Sequence, residues 1–312
     1  MFITKSDEAQ INPVLNKMAI AYPQQGLIGE KLAPVVDVGE DNEDGTFFRF
    51  GKTNLQGGYE DTRALGTRAA TFDWKLSTDS YHCDEHTLEK PIDWREFKKW
   101  KKYLELAVTT QEIALELLLT NYDARVTALL TTQANYPVGY WAMLGGITMW
   151  DDFVNSDPEA DVETGREAVA LGAAEPNTIA IPVNVWRVVR RHPAIRSLMK
   201  ESDSRQLTED GFPQRLFGMR AVYPGARQNT AMPGAAESIT RIWGKKIWLG
   251  VVNPRPSKKT MSFAYTFQAQ GTQVETYEDK PAKSDVVRVQ HQISDEEIVC
   301  NTAGYLIQNV IT

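Results

Sequence analysis

WREFKKWKKYLELAVTTQEIALELLLTNYDARVTALLTTQAN, running from Trp94 to Asn135, decides how the rest of the chain is read. Leu104, Val108, Leu115, Leu118, Tyr122, Val126 and Leu129 recur at steps of three and four, with Gln111 the polar exception. That spacing predicts the seam of an amphipathic helix. Helical throughout, the stretch spans on the order of 35 to 40 residues, roughly 55 Å at 1.5 Å per residue, longer than most single domains require. It reads as a spine that needs partners, because the β stretch before it has too few apolar residues to fold alone.

Working outward toward the N-terminus, Thr46 to Phe50 and Ala70 to Tyr81 alternate in strand fashion, with Phe47, Phe48, Phe50, Phe72, Trp74 and Leu76 as the large residues. A polar, glycine-rich tip from Gly51 to Gly66 joins them, carrying Lys52 and Arg63 with Arg68 close by. Two strands with no adjacent strand are marginal by themselves, so this reads as a long projecting β-hairpin. Residues 1 to 43, broken by Pro13, Pro23 and Pro34, read as an extended arm that lies against something, such as a neighbouring subunit.

Toward the C-terminus, Tyr136-Pro137, Gly139 and Gly145-Gly146 end the helix, and a second unit begins near Trp150. Asp161 to Leu171 is expected to be a short helix, Thr178 to Pro182 a buried strand, and Asn184 the N-cap of a helix running to Arg191. Ser202 to Gly234 reads as loops around a strand at Arg220 to Tyr223. Further strands are expected at Trp243 to Val251, Met261 to Phe267, Gln273 to Tyr277 and Asp285 to His291. The class is α+β, with late strands returning to the early spine.

At 312 residues and 42% hydrophobic content the chain can hold two domains with real cores. A net charge of −7 opposes a dedicated nucleic-acid binder, which needs a basic surface. With Cys83 and Cys300 the only cysteines, no disulfide framework is expected. No apolar run approaches about 18 residues, and the first residues make no signal peptide, so no membrane or export role is expected.

Chemistry is sparse. His82 and His86 are four apart in a strand pattern, roughly 13 Å, too far to share one metal ion. Gly51-Lys52-Thr53 resembles the end of a phosphate-binding loop, but Thr46 stands where that motif needs glycine. His192 and His291 show no nucleophile partner. The carboxylates of Asp151, Asp152, Asp157, Glu159, Asp161 and Glu163 fit a solvated loop and helix start better than an acid–base pair. Catalytic, cofactor-binding and metal residues are therefore not assigned. Arg95, Lys98, Lys99, Lys101 and Lys102, interleaved with Trp94, Phe97 and Trp100, fit phosphates or an acidic neighbouring subunit, and equally an ordinary solvated helix start. Arg187, Arg190, Arg191 and Arg196 read as solvent or subunit surface.

In this order, arm, hairpin, spine helix, α/β unit and returning strands resemble the major capsid protein of tailed bacteriophages, with the Hong Kong 97 type capsid fold. Phrases spread over nearly the whole chain carry the resemblance: Ala21-Tyr22-Pro23, Lys31-Leu32-Ala33-Pro34-Val35, Leu76-Ser77-Thr78-Asp79-Ser80-Tyr81 and Trp150-Asp151-Asp152-Phe153. Pro176-Asn177-Thr178, Ile242-Trp243-Gly244, Lys283-Ser284-Asp285-Val286-Val287 and Ala303-Gly304-Tyr305-Leu306-Ile307 continue it. None is a catalytic signature; their order along the chain is what matters.

The resemblance implies an N-arm over 1–43 and an extended loop, the β-hairpin, over 44–93. It implies a peripheral domain with the spine helix over 94–160, an axial domain over 161–262, peripheral strands over 263–298 and a C-terminal strand over 299–312. The implied protein is structural and not an enzyme. It self-assembles into hexamers and pentamers of an icosahedral viral head around double-stranded DNA, is put together in the host cytoplasm and resides in the virion capsid, with no cofactor. Its partners would be copies of itself, a portal and, in some relatives, a decoration protein. A separate scaffolding protein is expected too, because a chain that reaches its hairpin by residue 44 leaves no room for an N-terminal scaffolding segment. Subunit-contact or DNA-facing candidates are Lys52, Arg63, Arg68, Arg95, Lys98, Lys99, Lys101 and Lys102. Some relatives crosslink a hairpin lysine to an asparagine; Lys52 lies on the right element, without a visible acceptor or activating acid. The rival readings are an α+β enzyme with an unrecognised site and another virion part, such as a decoration protein.

Overall fold

The computed structural model describes residues 10–11, 26–50, 62–63, 65–66, 68–69, 76–100, 106–201, 211–230, 236–255 and 261–312. In chain order come β1 (Gln10–Ile11), α1 (Gly29–Leu32), β2 (Val35–Asp37), β3 (Asp44–Phe50), β4 (Leu76–His82), β5 (Asp84–Asp93), α2 (Trp94–Trp100) and α3 (Leu106–Thr131). Then follow β6 (Trp141–Met143), α4 (Pro158–Gly172), β7 (Thr178–Ala180), α5 (Val183–Val189), α6 (Pro193–Glu201), β8 (Arg215–Leu216), β9 (Met219–Val222), β10 (Arg227–Asn229) and β11 (Ile239–Arg241). β12 (Ile247–Gly250), β13 (Ala264–Gln270), β14 (Gln273–Asp279), β15 (Ser284–Ile298) and β16 (Gly304–Gln308) complete the chain. Helices and mixed sheets are combined as the expected α+β class requires.

The first sheet is built on β15. Along one edge it pairs antiparallel with β5, from Ser284 opposite Asp93 to Ser294 opposite Asp84. Along the other edge run β14, from Gln273 opposite Gln290 to Asp279 opposite Ser284, and then β13, from Ala264 opposite Ile298 to Gln270 opposite Ile293. β13 and β14 are thus one extended run interrupted near Gln270, and 264–298 is a single long hairpin. Its turn ends on Lys283, held at φ 50, while the Asp279 carboxylate accepts the Ala282 amide at 3.2 Å. β2 joins β13 in parallel and β1 joins β14.

The second sheet runs β6-β16-β12-β7-β9-β8. Its second strand, β16, comes from the end of the chain: Gly304 to Ile307 face Gly250 to Ile247 of β12, and Leu306 and Ile307 lie beside Trp141 and Ala142 of β6. Gly250 and Gly304 are direct partners, and side chains there are excluded by close approach. A Cβ on Gly304 would come 2.5 Å from the Phe263 ring, and one on Gly250 would come 2.5 Å from the Trp248 ring. The flat glycine pair is a seat for those two rings, which meet edge to face at 5.6 Å.

α3 connects the two sheets. Its 26 residues span about 39 Å. Ala114, Leu115 and Leu118 pack with Ile92, Val274, Val287 and Val289 of the first sheet. About one to three turns further on, Tyr122, Val126 and Leu130 join a core that holds Trp150, Trp186, Trp248 and Leu306. One helix face serves two cores in succession, which is why the helix is longer than either sheet needs. Asp123 on the same helix fastens α1: its carboxylate accepts the Ile28 amide at 2.9 Å and the Gly29 amide at 2.8 Å. Burial raises the Asp123 pKa, and the two amide donors counter that shift by favouring the charged form.

Several local expectations change. The spine is helical over Trp94–Trp100 and Leu106–Thr131; Leu104 of the expected seam lies outside the described residues. The α-helix ends at Thr131, and Gln133–Asn135 form a separate 3-10 turn. Leu130, not Leu129, is the fully buried residue of the last turn, because steps of four from Leu118 through Tyr122 and Val126 keep to the buried face. Asn184 does not cap a helix; Pro182 holds the cap position of α5, and Asn184 donates from its amide to the Gly244 carbonyl at 2.9 Å. The helix expected from Asp161 begins at Pro158, where Asp157 accepts the Glu159 and Ala160 amides.

Candidate functional site

The surfaces through which this chain could meet others follow from how its hairpin leaves the body. β3 and β4 pair in register from Asp44 opposite His82 to Phe50 opposite Leu76, as a two-stranded sheet that joins no other strand among the described residues. Its base is fixed. Phe47 and Tyr81 stack on Phe267 of β13 at 5.3 and 4.5 Å, Cys83 is buried beside them, and the His82 amide donates to Asp295 at 2.9 Å. Alternation turns Phe48 to the opposite side, where it is 60% exposed. An aromatic ring left uncovered on the single chain is a candidate contact point for another.

The expected basic residues separate into two groups. Arg63 and Arg68 are exposed in the hairpin's loop, while Lys52 lies outside the described residues. Arg95 and Lys98 are exposed on α2; the Lys99 side chain, Lys101 and Lys102 lie outside the described residues. α2 is tied to the start of β15, where the Trp94 indole donates to Asp285 at 3.0 Å. The hairpin is tied near its end, at Asp295. Those anchors are ten residues apart along one strand, roughly 33 Å, so α2 and the base of the hairpin attach to β15 well apart. The Asp93 carboxylate accepts the Arg95 amide at 2.6 Å, which offsets the unfavourable placement of cations at the α2 N-terminus.

The titratable groups singled out in the sequence serve structure. His82 bonds Asp44 through Nδ1 and lies 3.6 Å from Asp84 on its other nitrogen, so its two carboxylates sit on opposite sides of the ring. The Asp44 bond raises its pKa. Burial pushes the Cys83 thiol up to about 11, away from thiolate reactivity. No group of three or more histidine, cysteine, aspartate or glutamate side chains among the described residues is placed to hold a metal ion. No helix among them is long and apolar enough to cross a membrane. Sequence reasoning missed a serine at His192: Ser156 Oγ lies 3.3 Å from its Nε2. The polarity is wrong for a nucleophile, however. Nδ1 accepts the Ala194 amide at 3.2 Å, so Nε2 carries the proton, and the Ser156 hydroxyl donates to the Asp152 carbonyl at 2.6 Å. The acidic run also has structural tasks: Asp151 accepts from Thr312, Asp152 from the Val154 and Asn155 amides, and Asp161 from the Trp150 indole at 2.7 Å.

Between α3 and the first sheet lies a partly buried ionic group that no sequence pattern announced. Arg125 makes a bidentate pair with Glu296, at 2.8 and 3.0 Å, and His291 lies against the Tyr122 ring at 5.5 Å. Burial first, then the charges of Arg125 and His86, hold the His291 pKa down at about 4. His86 shifts the same way, from burial and Arg125. In the unfolded chain these histidines titrate near 6.5. The folded state therefore binds fewer protons between those values, and stability falls as pH drops from about 6.5 to about 4, then levels off. His291 alone accounts for on the order of 3 kcal/mol of that loss. Urea denaturation of the unassembled chain from pH 7.5 to 4 is expected to show the decline, and His291→Gln to flatten it; an unchanged slope in the variant would assign the acid sensitivity elsewhere.

No protein-family model matches the chain. It is 27% identical over 307 residues to the major capsid protein of Burkholderia phage BcepMu, covering 96% of each protein. Among solved structures, a phage-related protein from Bordetella bronchiseptica RB50 superposes with a TM-score of 0.72 at 27% identity, covering 97% of this chain and 98% of that one. The capsid structure of cyanophage P-SCSP1u shares the fold at 9% identity, with a TM-score of 0.64 over 99% of this chain and 92% of that one.

Proposed function

We propose that this chain, a homologue of phage major capsid proteins and folded as they are, builds its shell from closed rings of six and five copies in the Hong Kong 97 manner. The observation that carries the reading is the two-stranded hairpin β3–β4, anchored at its base and otherwise unaccompanied, on a chain that aligns over nearly its whole length with a capsid protein. The hairpin serves as the extended loop that reaches over an adjacent copy. The first sheet and the spine act as the peripheral domain. The second sheet acts as the axial domain, and because β6 pairs with β16, its share of the chain is drawn as about 136–262 plus 299–312. The function is structural: rings tile an icosahedral head around double-stranded DNA, with a portal and a separate scaffolding protein as partners during assembly in the host cytoplasm. Heterologous contacts that close into rings suit a chain whose hairpin and receiving surface differ.

Arg63 and Arg68 are assigned to contacts of the extended loop, and Arg95 and Lys98 to the peripheral surface, as subunit-facing or DNA-facing residues. The test is electron microscopy of the expressed chain with and without a scaffolding partner. Hollow, uniform shells are expected. Small uniform particles under every assembly condition would overturn the reading.

A further inference from the structure

The second sheet carries opposite charge at its two ends. At the β8–β9 end, Arg215 stands directly opposite Arg220. In the hairpin that follows, Arg227 stands directly opposite Arg241. Like charges at directly opposed positions destabilise an antiparallel pair. Arg187 of α5 adds to the second pair: after burial, the charges of Arg227 and Arg187 are what lower the Arg241 pKa. None of these arginines has a carboxylate partner among the described residues. Glu237 is the one acidic residue described in 211–230 and 236–255. A chain with a net charge of −7 thus gathers arginine where none of its described carboxylates pairs with it.

The other end is the reverse. α4 packs over β16 and β12, where Gly165 lies close against Tyr305 and Leu249. Its exposed side presents Glu159, Glu163 and Glu167, each one turn from the next, an arrangement that also repels itself. Arg166, which pairs with Glu163 and Glu175, is the one basic residue between Trp150 and Glu175. The strand order sets β16 and β12 on one side of β7, and β9 and β8 on the other.

We propose that these ends meet head to tail: the arginine edge of β8 to β11 on one copy docks on the Glu159–Glu163–Glu167 face of α4 on the next. Each patch repels itself and attracts the other, so the contact is heterologous, and repeated around an axis it closes a ring. The inference rests on the ring assembly proposed above and identifies the surfaces that make it.

Three variants test it, read by circular dichroism, thermal melting and sedimentation at low and high salt. Arg227→Gln with Arg241→Gln removes the internal repulsion, so the unassembled chain is expected to melt higher while ring formation falls at least tenfold. Arg227→Glu with Arg241→Glu is expected to abolish rings. Adding Glu163→Arg and Glu167→Arg to that second variant restores the complementarity with reversed sign, and rings are expected to return. Rings of the natural chain should weaken with salt. If the glutamine variant assembles as the natural chain does, the inference fails while the ring reading stands. It fails equally if the four-site charge-swapped chain folds and forms no rings; should that chain not fold, the glutamine variant decides. Normal shells that retain less DNA would assign the arginine edge to phosphate instead. A natural chain that forms no rings in any condition would remove both the ring reading and this inference.

Discussion

A chain lacking residues 51–66 is expected to fold like the full protein and to form no shells. Phe50 and Leu76 are direct partners across β3 and β4, so the remaining residues 67–75 have only the gap between neighbouring strands to close, which costs little entropy. The body should not notice the loss. What holds the hairpin is its base, Phe47 and Tyr81 on Phe267 with Cys83 beside them, and all of these remain. The melting curve of the unassembled chain is therefore expected to shift by no more than about 0.5 kcal/mol in stability, the range of substitutions that touch no core. Assembly is a different matter, because the deletion removes the same surface from every copy at once, and shells depend on the repetition of modest interfaces. Circular dichroism and electron microscopy on the same preparation separate the two effects. An unfolded deletion would make the tip part of the fold; normal shells would show that it is not an assembly element.

Trp248→Ala is expected to be the most damaging single core substitution, at about 3–5 kcal/mol. The indole is fully buried, lies against Phe263 and covers the Gly250–Gly304 pair that lets β12 and β16 approach beneath it. Removing it leaves a cavity over two glycines that offer no side chain to fill the space. Urea denaturation should show a lower midpoint with an unchanged slope. A loss below about 1 kcal/mol would mean that the second sheet is not organised around this ring. Leu115→Ala, in the first-sheet core, falls within the general range of about 2–5 kcal/mol and lacks this dependence on a glycine seat.

Much of this architecture is legible from local pattern, for definite reasons. The hairpin declares itself through Phe47 and Phe48 on alternate faces, and the spine through its three- and four-residue steps, because both periodicities are properties of a few consecutive residues. Expectations that depended on one end residue fared worse. Asn184 carries the right side chain for a cap, yet Pro182 and the Gly244 carbonyl decided its place. Leu129 and Leu130 are both leucine, and only the phase of the helix against its core selects between them.

The surfaces divide along the same line. The basic run after Trp94 was legible as a run, but the place of its helix at the start of β15 is set by the pairing of β5 with that strand. The partly buried group of Arg125, Glu296, His86 and His291 joins residues from α3, β5 and β15 and has no signature in any window of sequence. The same holds for the arginine edge, where Arg215 meets Arg220 and Arg227 meets Arg241 only through strand register. By itself, then, the sequence determined the principal helices and strands and their order, which rest on short-range periodicity, while the class of protein came from the resemblance that its phrases carry in that order. Tertiary structure alone decided which charges become neighbours, because strand pairing and the return of β16 to the second sheet bring together residues that the chain holds far apart.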